Sequence, residues 1–182
     1  MSYGNIVLAS TKGQFIPSAI RWFTNSQFSH SLVTTPPILK VPMCMEAAEI
    51  GVDFTRFDTS YVDNKDQGYE SWFIKIDKKV KDKAIVSILS DLEISYGFLQ
   101  YPWFIWRRIC LFFGKDIKSQ NNWNKNGMIC SQLCVAYLKA CGLNHVLKGY
   151  GIGSIAPQDL QNIFKTNPQL FKLVKHERLS SY

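Results

Sequence analysis

Late in the chain, apolar residues fall at Cys130, Leu133, Cys134, Tyr137, Leu138 and Cys141, at intervals of 3, 1, 3, 1 and 3. That spacing lays one apolar stripe along a buried helix, and Gly142 stands where a helix C-cap belongs. A helix striped in this way needs a surface to bury the stripe on, and the first third of the chain offers one. Asn5–Ser10, Ser29–Thr35, Val41–Ala48 and Gly51–Phe57 read as short strands, with Pro36-Pro37 ending the second and a meander following. Trp72–Ile76 and Leu170–Val174 are further strand candidates, while Ile16–Phe23, Lys81–Ser95 and a short run opening at Ala156-Pro157 read as helices. Lys115–Asn126 is polar and loop-like. The order predicts an α+β protein: a β-rich half, a helical stretch, then a cysteine-bearing helix.

With 182 residues, 46% of them apolar and 14% aromatic, the chain suits one domain over 1–182, with a helical, aromatic insertion around 81–120. A net charge of +7 permits an anionic partner. The basic residues are scattered, however, and the densest group (Lys75, Lys78, Lys79, Lys81, Lys83) is interleaved with Asp77 and Asp82, which reads as a solvated face. No zinc finger or RNA-recognition signature accompanies them, so nucleic acid is not the expected partner. No secretory signal is visible, and the apolar window 96–114 is broken by Pro102 and by Arg107-Arg108, which makes it a poor spanning helix. The expectation is a cytoplasmic protein, with release by lysis or in a virion as alternatives. Trp103, Phe104 and Trp106 beside the two arginines suit either a helix buried over the sheet or a contact with a membrane surface.

The five cysteines are odd in number and hold no C-x-x-C pair, which argues against a disulfide framework. None of the histidines (His30, His145, His176) has a metal-ligand spacing to a cysteine pair, so no metal or cofactor is expected. The buried helix reads over Gly127–Cys141, and Cys130 lies near its start, just after a polar loop. The partial positive charge and free N–H groups of a helix start favour a thiolate and can hold an oxyanion. The alternative is that Cys130 is merely the first residue of the stripe. Cys134 and Cys141 lie deeper in the helix, and Cys44 and Cys110 have no polar company. A nucleophilic thiol needs a base. His30 opens a strand and can face a helix terminus, whereas His145 lies past Gly142 and His176 in a charged tail. Glu46, alone among apolar neighbours on the next strand, is favoured over Glu49 to orient the imidazole, the two lying on opposite strand faces.

Taken in order, Phe28-Ser29-His30-Ser31-Leu32-Val33, then Met45-Glu46-Ala47 leading to Gly51-Val52, then Ile129-Cys130-Ser131-Gln132-Leu133, resemble the circularly permuted NlpC/P60 enzymes of the YiiX-like branch. Ile6–Ser10 with Ile20–Thr24, and Ala156-Pro157-Gln158-Asp159-Leu160, resemble further segments of that group, and the stretch from 58 to 120 is largely unmatched. The resemblance implies a permuted papain-like fold, a small antiparallel barrel or sheet packed on the cysteine-bearing helix. It implies Cys130 as nucleophile, His30 as base and Glu46 as the orienting acid of a cysteine hydrolase acting on a peptide or acyl-amide substrate. A lipid-directed acyltransferase, similar to lecithin:retinol acyltransferase, and a catalytically silent binding module are the alternatives. The family often has Ser-Glu after the cysteine, where this chain has Ser131-Gln132.

Overall fold

Strand β1, Asn5–Thr11, is buried on both faces because it lies inside the sheet. The computed structural model describes residues 3–11, 15–48, 51–92, 94–97, 101–117 and 127–177. The remaining strands are β2 (His30–Ile38), β3 (Val41–Ala48), β4 (Gly51–Arg56), β5 (Gln67–Ile74) and β6 (Phe171–Glu177). They form one six-stranded sheet in the order β4-β3-β2-β1-β5-β6, antiparallel at every pairing. The helices are α1 (Phe15–Thr24), α2 (Lys78–Ile88), α3 (Tyr101–Phe112), α4 (Cys130–Ala140) and α5 (Pro157–Thr166).

The α+β class and the β2–β3–β4 meander agree with the sequence reading. The sheet is open: its edges, β4 and β6, lie four strands apart, so it does not close into a barrel. Pro36-Pro37 does not end β2. The ladder breaks register between Thr35 and Ile38, leaving the two prolines exposed outside it, and resumes at Ile38↔Val41. Leu39 and Lys40, at φ +48° and +68°, then make the tight reversal. Strand β5 begins five residues before the expected Trp72, and α2 ends at Ile88, ahead of the expected Ser95, in a short 3₁₀ turn over Leu89–Asp91. Most of the expected Lys115–Asn126 loop, residues 118–126, lies outside the described residues.

Two layers of side chains cover the sheet. On one face Ile6, Leu8, Val33, Met45, Trp72 and Ile74 meet the apolar sides of α2, α4 and α5. On the other face Val7, Ala9, Leu32, Cys44 and Tyr69 meet Phe57 and Tyr61. The α4 stripe is the seam of the first layer: Leu133, Cys134, Tyr137 and Leu138 are all fully buried. Gly142 ends α4 as expected. At φ +78° it lets Leu143 N–H bond Leu138 O at 2.9 Å and its own N–H bond Lys139 O at 2.8 Å, closing the last turn. Gly51 is a glycine for a different reason. It sits at φ +116°, and a Cβ there would stand 2.6 Å from Ile94 O, in the segment that Val52 N–H binds at 3.0 Å.

The lysine cluster on α2 is only partly a solvated face. Lys81 is buried, and its Nζ lies 3.8 Å above the Phe73 ring. Burial draws its amine below the ordinary lysine range.

Candidate active site

The sheet register brings Glu46 to His30. Leu32 stands directly opposite Glu46, so His30, two residues earlier on β2, shares that face and lies diagonal to it. The diagonal is short enough for the longer side chains: His30 Nε2 and Glu46 Oε2 are 2.6 Å apart. Tyr61 comes up beneath them on one wide helical turn, Asp58–Val62, closed by Asp63 N–H bonding Asp58 O at 2.9 Å. Its hydroxyl donates to the same Glu46 oxygen, and its ring lies parallel to the imidazole with centroids 6.5 Å apart.

The helix approaches from the other layer. Met128 is held by Gly97 N–H and Ser95 O, each at 3.1 Å, and Ile129 packs with Trp103, Phe104 and Ala156. Cys130 follows as the first residue of α4, 6% exposed. Gln132, at the third helical position, accepts the Ile129 N–H at 3.0 Å. The residue that departs from the resembled Ser-Glu thus has a local task, tying down the helix start as a glutamate would. The N–H groups of Cys130 and Ser131 have no carbonyl four residues back within the helix, so they are oriented donors beside the thiol. Ser131 Oγ donates to Ile155 O at 2.6 Å, fixing the first turn from behind.

Cys130 lies near enough to His30 and Ser31 for both to act on its thiol. Since Nε2 is committed to Glu46, Nδ1 is the ring nitrogen left for the thiol. The fold thus brings Cys130, His30 and Glu46 to one place, with the imidazole side chain 20% exposed. Glu49 lies outside the described residues. His145 is exposed beyond the far end of α4.

The electrostatics separate Cys130 from the other buried thiols. Burial pushes Cys44, Cys134 and Cys141 up, the last to about 11. Burial acts against the Cys130 thiolate too, but the His30 charge and hydrogen bond, with help from Ser31, draw its pKa down. In His30, burial disfavours the imidazolium, yet the Cys130 thiolate and Glu46 together hold it above its ordinary range. Glu46 is opposed by burial and nonetheless held at about 2 by His30, Thr55 and Tyr61. Burial and the Glu46 charge keep Tyr61 protonated as a donor. Cys44, expected to lack polar company, bonds Thr55 O through Sγ at 3.4 Å.

Tyr61, Thr55 and Ser31 were not singled out from the sequence. The signal that could have found the first two is chemical: a buried carboxylate needs more donors than one imidazole supplies. A prediction follows from the Glu46 shift. The folded carboxyl titrates below its unfolded value of 4.5, near 2, so its stabilisation is intact above about pH 4.5 and is lost as pH falls towards 2. Glu46→Gln is expected to flatten the acid limb of the stability profile by up to about 3 kcal/mol. Urea unfolding across pH 2–6 in both proteins checks this, and parallel acid limbs would contradict it.

No protein-family model matches the chain, and no curated protein matches it in sequence. Among solved structures it is similar to the crystal structure of metalloprotein yiiX from Escherichia coli O157:H7, DUF1105. The TM-score is 0.57 at 17% identity, over 98% of this chain and 90% of that one. The likeness is one of fold: the chain has a YiiX-like fold, and the likeness extends through the 58–120 stretch where sequence resemblance was thin.

Proposed function

We propose that this chain is a thiol hydrolase of the permuted NlpC/P60 kind, cleaving an amide bond in a peptide-like or acylated-amine substrate. The observation that carries the reading is the series Cys130–His30–Glu46, in which the one thiol with a lowered pKa faces an imidazole that a buried carboxylate orients. The Cys130 thiolate attacks the carbonyl carbon. The first-turn N–H groups of α4 receive the oxyanion. The His30 imidazolium gives its proton to the departing amine nitrogen as the C–N bond breaks, leaving a thioester on Cys130. His30, now neutral, takes a proton from water as that water attacks the thioester. Collapse releases the acid and restores the thiolate and imidazolium. Glu46 keeps the ring in one orientation, and Tyr61 holds Glu46.

The yiiX protein is described as a metalloprotein. The donors here do not fit a metal ion. Glu46 bonds His30 Nε2 directly at 2.6 Å, so that carboxylate and that ring nitrogen face each other rather than a shared ion. Among the described residues no three His, Cys, Asp or Glu side chains gather as a ligand set.

The test is the rate of Cys130 alkylation by iodoacetamide against pH, in the wild type and in His30→Ala, with the site of labelling read by mass spectrometry. The wild type is expected to label with an apparent pKa well below the free-thiol value of about 8.5, and the variant at or above it. Slow labelling at every pH in both proteins would sink the hydrolase and favour a binding module in which Cys130 only packs.

A further inference from the structure

Helix α3 is apolar on two sides and uses only one of them inside the protein. Trp103 and Phe104 turn inward to Ile129 and Ala156, and Arg107, one turn on, is buried against α5. The opposite stripe, Trp106, Ile109 and Phe113, recurs at intervals of three and four and is open to solvent. Phe112 beside it is 86% exposed. Helix α1 packs alongside and adds Trp22, 63% exposed. Between the two helices runs an open groove of about 650 Å³ lined by Trp22, Asn25, Arg108, Ile109, Leu111 and Phe112. Large aromatic side chains grouped on an outer face mark an interaction surface.

The charge around this face identifies the partner. Arg108 stands on the groove with no acidic partner among the described residues, and Lys115 follows at the exposed end of α3. The nearby Asp116 is directed to Arg107, at 3.9 Å. The face is thus aromatic with a cationic edge, on a chain of net charge +7. No helix among the described residues is long and apolar enough to cross a membrane. With 12 residues, α3 extends about 18 Å, against a hydrocarbon core of about 30 Å.

We propose that the α1–α3 face docks on an anionic phospholipid bilayer, with α3 lying in the plane of the interface. Trp22, Trp106, Phe112 and Phe113 enter the headgroup–acyl boundary, where aromatic side chains are favoured, and Arg108 and Lys115 meet lipid phosphates. A second groove on the same face is lined by Arg21, Trp22, Asn25, Ser26, Gln27 and Arg108, and Gln27 is three residues before His30 in the chain. The proposal does not rest on Cys130 being catalytic, since none of these side chains belongs to the triad.

The experiment is co-sedimentation with phosphatidylcholine vesicles, with and without phosphatidylglycerol, alongside sedimentation velocity without vesicles. The wild type is expected to bind the phosphatidylglycerol vesicles, less so at high salt, with a blue shift of tryptophan emission. Phe112→Ser/Phe113→Ser, which alters only exposed side chains, is expected to weaken binding about tenfold or more. Arg108→Glu is expected to remove most of the preference for phosphatidylglycerol. Wild-type protein that stays in the supernatant, or partitioning unchanged in the double variant, overturns the proposal. So does a wild-type dimer abolished by the double variant, which assigns the face to a second copy. Cys130 alkylation in the same variants should be unchanged, which separates failure here from failure of the hydrolase reading.

Discussion

Cys130→Ala is expected to abolish the release burst from a p-nitrophenyl acyl ester and to lower its turnover by at least about a thousandfold. In a covalent mechanism the sulfur is the atom that bonds the acyl carbon, so no neighbouring group compensates for its loss. The wild type should show one equivalent of fast nitrophenolate release and a matching mass increase of the acyl group on the chain. The variant should show neither. The loss is separable from unfolding. Cys130 contributes one small buried side chain, and truncating it costs about 1 kcal/mol. The contacts that hold the helix start, Gln132 to Ile129 N–H and Ser131 to Ile155 O, are made by other residues. Circular dichroism and urea unfolding should therefore be close to wild type. A burst that survives the substitution places the nucleophile elsewhere. With the wild type, an added amine or lipid acceptor that captures the acyl group in place of water identifies a transferase using the same thioester.

The second large effect concerns stability. Arg107 is buried in α3 and grips Asp159 through two nitrogens, at 2.8 and 3.2 Å, while bonding Ser154 O at 2.7 Å. Asp159 also accepts the Ala156 N–H at 2.9 Å, which caps α5. Arg107→Ala leaves that carboxylate buried with its main cation gone. Breaking one side of such a pair costs about 3–5 kcal/mol, far more than an exposed pair is worth. Urea unfolding of Arg107→Ala against the wild type measures it. A loss below about 1 kcal/mol would show that water replaces the guanidinium and that the clamp is not structural. The position of the clamp links it to the site. Ser154 O is next to Ile155, whose carbonyl holds Ser131, and Ser131 follows Cys130. At denaturant levels where the variant is still folded, its Cys130 alkylation should change before its overall helix content does.

The local readings that succeeded were those whose physics is local. The stripe from Cys130 to Cys141 and its glycine cap state a helix in their own spacing, and α4 is that helix, begun at Cys130 rather than at the expected Gly127. Val41–Ala48 is an apolar run broken only by Glu46, and β3 has those bounds. The readings that moved depended on neighbours. Pro36-Pro37 looked like a stop, yet the β2–β3 pairing resumes beyond it because a break in register carries the prolines outside the ladder. Lys81 looked solvated among other lysines, yet the Phe73 ring and the body of the protein cover it. Pro102 looked like a break in the aromatic window and instead lies in the first turn of α3, where a missing N–H costs nothing.

His30, Glu46 and Cys130 could each be picked out as unusual in its own surroundings: a histidine at a strand mouth, an acid among apolar residues, a thiol at a helix start. Periodicity and end chemistry suffice for that, because they are carried by residues within one or two turns. What joins them is not local. His30 and Glu46 are 16 residues apart and meet only because the β2–β3 register sets Leu32 against Glu46. A slip of one residue would send Glu46 to the opposite face. Tyr61 reaches the carboxylate only through a wide turn whose sequence has no periodic mark, and Cys130 arrives a hundred residues after His30, its helix start held by Gln132, Ser131 and the Trp103 cluster. Elements follow from neighbours in sequence. The 2.6 Å contact between imidazole and carboxylate follows from register and packing, which exist only once the whole sheet and its helices are assembled.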